Sequence, residues 1–334
     1  MFKIYKIIMF NFMIIGSMIT ISSSTPFMMW MGLEMNLLSI IPIFEESKTK
    51  YPAEASMKYF MAQAMASKML LLALLIIELN SNYQLITNKW TSILIIQTAL
   101  FIKLGMAPFH IWMPEVAEGL NWMSCMLLFT WQKLAPMVMF MMFYINTKFL
   151  VSVIIFSSII GGILGLNQLS MRKILTYSSI NHMAWMMLAM SLSSKLWTTY
   201  FLLYSLMNIL IISILKSLNI FFINQLNSAK IKSINKILIM MTLLSLAGLP
   251  PFIGFLPKWM VIILASENNL LILPAVMIIT TLISLFMYLR LIVPMMTLKS
   301  NQTLISTKNL PKSPLFICST LMISLSLASL ILGN

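Results

Sequence analysis

A chain of 334 residues that is 60% apolar and only 9% charged cannot cover a water-facing surface, because soluble domains carry charge on about a quarter of their residues. Its mean hydropathy of +0.94 places it in lipid. A net charge of +14 (22 Lys and Arg against 8 Glu, with no Asp) would otherwise suggest nucleic acid, but no nucleic-acid motif is present and the cations cluster at the ends of apolar segments.

A hydrocarbon core takes about 20 apolar residues per helix. On that measure eleven spans are predicted, at 3–22, 27–44, 53–79, 91–118, 122–145, 149–168, 173–191, 197–220, 237–265, 271–294 and 314–332. The expected fold is an all-α membrane protein, one polytopic domain over 1–334. Span one, with Lys3 and Lys6 before it and Ser22-Ser23-Ser24 at its end, resembles a signal peptide. Membrane sequence continues at once, so a retained helix is expected. Arg172 and Arg290 are the only arginines, too few for an Arg-rich transit peptide, and 34 Met point to the biased code of an organellar genome. Synthesis inside the organelle is the expectation. Cys125 and Cys318 sit in separate apolar segments and read as buried fillers, since an iron–sulfur cluster usually takes four thiolates.

Taken in order, the spans carry ionisable residues where lipid should be. Glu34 lies in span two, Lys68 in three, Lys103 in four, Lys133 in five, His182 in seven and Lys258 in nine. Glu34 is the only carboxylate near the centre of a span, and so the natural partner of Lys103 or Lys133. Such residues are costly in hydrocarbon and are functional candidates by default. An amine gives up its proton more easily in a low-dielectric site, and a nearby carboxylate opposes this, so moving the counter-ion loads and unloads a proton. Plainer readings stand beside these: Lys68 as a snorkelling or paired side chain, His182 as a satisfied bundle histidine, and each lysine as a tie between helices. Glu115 and Glu118 read as half exposed, Arg290 as a headgroup or subunit contact, and Gly161-Gly162-x-x-Gly165 as close helix packing. No dinucleotide-binding or phosphate-loop sequence appears, nor a Ser-His-Asp set or metal-ligand spacing.

Spans four and nine share an unusual pattern. Gly105-x-x-Pro108-Phe109-x4-Pro114 repeats 143 residues later as Gly248-x-Pro250-Pro251-Phe252-x4-Pro257, with Lys103 just before the first and Lys258 just after the second. Proline lacks the donor N–H and clashes with the preceding turn, so both spans are predicted to be discontinuous helices, broken near 105–114 and 248–257. Broken backbone at membrane depth is tolerated only beside protein or water that satisfies it. An offset of five spans sets the two elements antiparallel, which gives inverted five-helix repeats of about 1–148 and 149–294 and an extra helix at 314–332. Inverted repeats with broken helices mark transport sites near the midplane. His110, inside the first break, joins His182 and Lys68 as a candidate relay residue.

Loop charge sets the expected orientation. Lys3, Lys6, Lys48, Lys50, Arg172, Lys173, Lys230, Lys232, Lys236, Lys299, Lys308 and Lys312 fall on the N-terminal side, against Lys89, Lys148 and Lys195 on the other. Positive charge stays inside, so the N-terminus is expected in the matrix or cytoplasm and Asn334 opposite. The Asn301-Gln-Thr303 sequon falls on the inner face and should carry no glycan. Lys230, Lys232 and Lys236 suit anionic phospholipid, with cardiolipin a candidate.

Several motifs together resemble the antiporter-like membrane subunits of respiratory complex I. They are Met31-Gly-Leu-Glu34-Met-Asn36, Glu54-Ala-Ser-Met-Lys58-Tyr-Phe60, Lys103-Leu-Gly-Met-Ala-Pro108-Phe-His110-x-Trp112-x-Pro114-Glu115-Val116, Trp131-Gln-Lys133-Leu-Ala-Pro136, Arg172-Lys173-Ile-x-x-Tyr177-Ser-Ser-Ile180-x-His182-Met183 and Gly248-Leu-Pro-Pro-Phe252-x-Gly254-Phe-x-Pro257-Lys258-Trp259. The resemblance covers about residues 30–265. It implies that Glu34 is the family's membrane glutamate and that Lys103, Lys133 and Lys258 are its channel lysines. They would form a hydrated Glu/Lys line that carries protons while quinone is reduced elsewhere in the complex. It further implies a hetero-oligomer with other membrane-arm subunits in the mitochondrial inner membrane, without nucleic acid. This chain would hold no cofactor or metal, and NADH, FMN, iron–sulfur clusters and ubiquinone would belong to other subunits. Bacterial members have fourteen helices and animal members lack the first three, which agrees with eleven. Lys68 departs from the pattern. Two rivals stay open: a free-standing cation/proton antiporter, which would transport alone in liposomes, and a scaffold whose charges only pack helices and dock neighbours.

Overall fold

A computed structural model describes residues 4–45, 50–83, 89–143, 147–228, 233–250 and 252–297. The predicted span 314–332 lies outside the described residues, with Cys318, the Asn301 sequon, Lys299, Lys308 and Lys312. So do Lys3, Lys48, Lys230, Lys232 and Pro251.

The described residues form fourteen helices and no strand beyond an isolated antiparallel bridge between Ser170 and Phe222. In order they are α1 (Ile4–Ser22), α2 (Pro26–Phe44), α3 (Lys50–Tyr83), α4 (Lys89–Leu104), α5 (Trp112–Gly119), α6 (Trp122–Phe129), α7 (Trp131–Met142), α8 (Thr147–Leu166), α9 (Met171–Leu192), α10 (Ser194–Leu218), α11 (Ile223–Ser228), α12 (Ser233–Ala247), α13 (Phe255–Glu267) and α14 (Ile272–Thr297). Among the described residues, seven stretches are long and apolar enough to cross a membrane: α1, α2, most of α3, α6 with α7, α8, α10 and α14. Local signals set several ends. Pro26 opens α2 at a position where its missing N–H costs nothing. The Ser193 hydroxyl accepts from the Leu196 N–H at 3.2 Å to start α10, and Asn219 closes that helix in the left-handed region at φ 53°.

Two predicted spans carry features that their apolar pattern did not show. The predicted span 122–145 is present as Trp122–Met142, with an interruption at Thr130 where α6 ends at Phe129 and α7 begins at Trp131. Pro136, inside α7, provides no N–H for the Gln132 carbonyl and crowds it. One turn earlier the Thr130 hydroxyl bonds the Met126 carbonyl at 2.7 Å, and the Lys133 N–H reaches only to Thr130, three residues back, at 3.3 Å. The other is α9, which matches the predicted 173–191 but is more polar than the seven apolar stretches and is not among them. Every residue from Ile174 to Ala189 is buried, so the helix runs through the interior of its bundle and its Ser, Asn and His side chains meet protein.

The chain divides into two compact units, Met1–Ser152 and Val153–Asn334. In the first, α1 lies along α2, α3 packs on α2, α4 and α5, and α7 packs on α1, α2, α4 and α6. In the second, α9 packs against α10, α13 and α14, while α12 meets α10 and α14. Gly161, Gly162 and Gly165 let α8 approach Asn181 and Tyr177 of α9 and Thr280 and Met287 of α14, the close packing expected of that run. Arg290 donates to the Leu166 carbonyl at the end of α8, an intrachain cap where a headgroup or subunit contact was expected. Cys125 is buried, as a filler should be.

Candidate functional site

Both predicted breaks are present, and the backbone builds them the same way. In the first, Gly105 takes φ +69° after α4, and the Met106 N–H reaches back to the Phe101 carbonyl at 3.0 Å. In the second, Gly248 takes φ +79° after α12, and the Leu249 N–H reaches the Leu244 carbonyl at 3.4 Å. This is the Schellman ending, in which a left-handed glycine closes the helix with a six-to-one bond. Each pair of bonded residues in the first break corresponds, at the same 143-residue offset, to a pair in the second.

A broken helix leaves its last carbonyls without backbone donors, and side chains serve them here. The Trp112 indole donates to the Ile102 carbonyl at 3.0 Å and the Gln63 amide to the Lys103 carbonyl at 3.1 Å. At the second break the Lys258 amine donates to the Ala247 carbonyl at 2.9 Å, while His182 Nε2 lies 3.1 Å from the Leu246 carbonyl. A cation at the negative end of a helix is also favoured by the helix dipole. The neighbouring carbonyls bring His182 and Lys258 together, a pairing that sequence alone did not supply. His182 Nδ1 lies 3.0 Å from the Tyr200 hydroxyl, and the Tyr204 ring packs 5.2 Å from its imidazole.

The first unit holds Glu34, Lys103 and Lys133, and it pairs the first two. Lys103 is buried, and its amine lies 3.8 Å from Glu34 Oε1, whose side chain keeps about a quarter of its surface exposed. Lys103, one of the two partners expected for Glu34, lies in ion-pair range of it. Lys133 is 98% buried on α7, three residues past the Thr130 interruption. Beside Lys103 a small pocket of about 10 Å³ is lined by Leu33, Asn36, Leu37, Tyr59, Gln63, Gln132 and Pro136. That is about the least room a single water requires. Tyr59 donates to Gln132 Oε1 at 3.1 Å and Gln132 Nε2 donates to Asn36 Oδ1 at 2.8 Å, which forms a polar chain along the pocket wall. His110 is buried in the linker of the first break. Pro108 and Pro114 lie at that break, and Pro250 and Pro257 at the second.

Lys68 falls outside this grouping. Its side chain is exposed on α3, while Gln63 and Tyr59 of the same helix are buried, so it stands apart from the buried amines. Glu115 is half exposed as expected, and it pairs with Lys58 at 3.0 Å; Lys58 also meets Glu54 at 3.1 Å. The residues that sequence reasoning missed are mostly uncharged. Asn36, Gln63 and Gln132 are amides inside apolar spans, and an unexplained amide there has to find a buried partner. That signal was available. The roles of Tyr200 and of the carbonyls at 246 and 247 were not, because they depend on how separate helices meet.

The fold and the two buried amine sites define a membrane-embedded transport subunit built on broken helices. Residues 23–284 match the family described as NADH:quinone oxidoreductase/Mrp antiporter, transmembrane, and the chain belongs to that family. Among relatives, NADH-ubiquinone oxidoreductase chain 2 of Anopheles gambiae is 45% identical over 292 residues, covering 86% of this chain and 85% of its own length. The protein of the same name from Oryctolagus cuniculus is 40% identical over 343 residues, 98% of each chain. In fold the chain is similar to one in respiratory complex I from Thermus thermophilus, with TM-score 0.88 at 20% identity over 99% of this chain and 80% of that one. It is also similar to a chain of the Mrp complex from Dietzia sp., with TM-score 0.81 at 14% identity over 97% and 75%.

Proposed function

We propose that this chain is a proton-translocating subunit of the membrane arm of NADH:ubiquinone oxidoreductase, respiratory complex I, in the mitochondrial inner membrane. The observation that carries the reading is the matched pair of broken helices, each with a buried lysine beside it that is held among polar groups. The relatives named NADH-ubiquinone oxidoreductase chain 2, nearly full length in alignment, support the assignment to complex I.

In this reading Glu34 and Lys103 form the loading pair. A proton leaves the Lys103 amine when its distance from the carboxylate grows, and returns when the pair closes. The amides and hydroxyl around the pocket (Asn36, Gln132, Tyr59) orient water between that pair and Lys133. Lys258, with His182 at the neighbouring carbonyl, is the second station, and His110 is a relay residue in the first break. The two units act as inverted repeats, about 1–148 and 149–294; the five-span offset of the breaks supports this, as does a unit boundary at Ser152. The N-terminus lies in the matrix and the C-terminus in the intermembrane space, by the loop-charge asymmetry. Redox chemistry and its cofactors belong to other subunits.

The test is Lys103→Met and Lys133→Met in the assembled complex. Each variant should lower proton uptake per electron while the amount of assembled complex stays near that of the unaltered protein. Normal proton stoichiometry in both would end the assignment, and loss of assembly before loss of pumping would favour a scaffold.

A further inference from the structure

We infer that the exposed face of α3 carrying Lys68 docks a transmembrane helix of another subunit, and that this helix presents a carboxylate at the middle of the membrane. The inference concerns the assembly of the chain and does not depend on its role in proton transfer.

Lys68 is exposed, and it sits at an awkward depth. Along α3 it lies ten residues after Lys58 and ten before Glu78. At 1.5 Å per residue those charged groups are about 15 Å away in each direction, half the ~30 Å hydrocarbon core. Lys58 belongs to the ion-pair cluster with Glu54 and Glu115, which marks one edge of the slab. The lysine stem reaches only about 6 Å, so it cannot snorkel to either surface from the middle. Among the described residues no carboxylate lies within ion-pair distance of Lys68. An ammonium left among acyl chains at that depth is strongly disfavoured.

Its neighbours show the shape of what covers it. Met61, Met65, Lys68, Leu72, Leu75 and Leu79 are all exposed and follow one another at intervals of four, three, four, three and four residues. That alternation is the seam one helix offers another in near-parallel packing, and membrane helices mostly pack with that geometry. The methionines adapt to an irregular partner. An apolar seam with one central cation therefore calls for a helix that is apolar along its length with one Asp or Glu opposite Lys68. Lipid supplies the apolar part but no anion at that depth.

Two measurements test this. A density map of the intact complex in lipid should place a carboxylate oxygen of another subunit within about 4 Å of the Lys68 amine; acyl chains or only apolar side chains against that amine would overturn the proposal. Lys68→Met gives an independent sign. With a carboxylate opposite, removing the cation strands a buried anion, and assembled complex should fall about tenfold or more while Lys68→Arg stays near normal. With lipid opposite, Lys68→Met should leave assembly unchanged or improve it, and that result would also overturn the proposal.

Discussion

Gly248 and Gly105 occupy equivalent left-handed positions, so alanine at each carries the same backbone cost, about 1–2 kcal/mol for a side chain in that region. The surroundings differ. A Cβ on Gly248 would lie 2.8 Å from the Lys258 Nζ, 2.9 Å from its Cδ and 3.1 Å from its Cε. On Gly105 its three nearest atoms would belong to Met113 and Trp112, at 3.1–3.3 Å. Gly248→Ala must therefore push the Lys258 amine off the Ala247 carbonyl and forfeit a charged hydrogen bond worth about 1.5–3 kcal/mol. That is an added tenfold to hundredfold loss of the docked arrangement, on top of the shared strain. In membranes with equal amounts of assembled complex, Gly248→Ala should depress NADH-driven proton uptake well below its rate of NADH oxidation measured with an uncoupler. Gly105→Ala should lower the two together and mildly. Equal coupling defects in both variants would refute the reasoning, because strain alone would then account for them.

Glu34→Gln removes an attraction across 3.8 Å. It is worth about 4 kcal/mol at an effective dielectric of ~20 and about 1 kcal/mol in water; the partial exposure of Glu34 places the loss between these. Coupled proton uptake should fall while assembly persists, and unchanged uptake would remove Glu34 from the path. Gln63→Leu leaves the Lys103 carbonyl without its side-chain donor, a cost of about 1–3 kcal/mol. Amide exchange over residues 101–106 should then quicken roughly five- to hundredfold, with little change over 244–249. His182→Leu strips partners from both the Leu246 carbonyl and the Tyr200 hydroxyl, so the faster exchange should appear at 244–249 instead, together with a drop in proton uptake.

The breaks were legible in the sequence because proline and left-handed glycine act on their own backbone. The match between Gly105 and Gly248 therefore predicted geometry that the bonds of Met106 and Leu249 repeat. Glu34 with Lys103 was readable for a related reason, since one mid-span carboxylate among several amines leaves few pairings. The interruption at Thr130 was missed: Pro136 carried a signal for a distortion, but the long apolar stretch read as one span. Lys68 stayed open between a relay and a plainer role, because periodicity does not distinguish the inner face of α3 from its outer face when both are apolar, and only Gln63 and Tyr59 mark the inside. The joining of His182 to Lys258 through adjacent carbonyls required three separate helices to be placed, which no local pattern encodes.

The most direct test of the central claim is a map of ordered water in the assembled complex at a resolution that shows individual molecules. Proton passage through this chain predicts ordered waters within about 3.5 Å of the amines at Lys103 and Lys133, reaching Glu34 through the pocket walled by Asn36 and Gln132, and, in the second unit, waters within the same distance of the Lys258 amine and of His182. Amines sealed singly in dry packing, with no water touching any of the three, would contradict it.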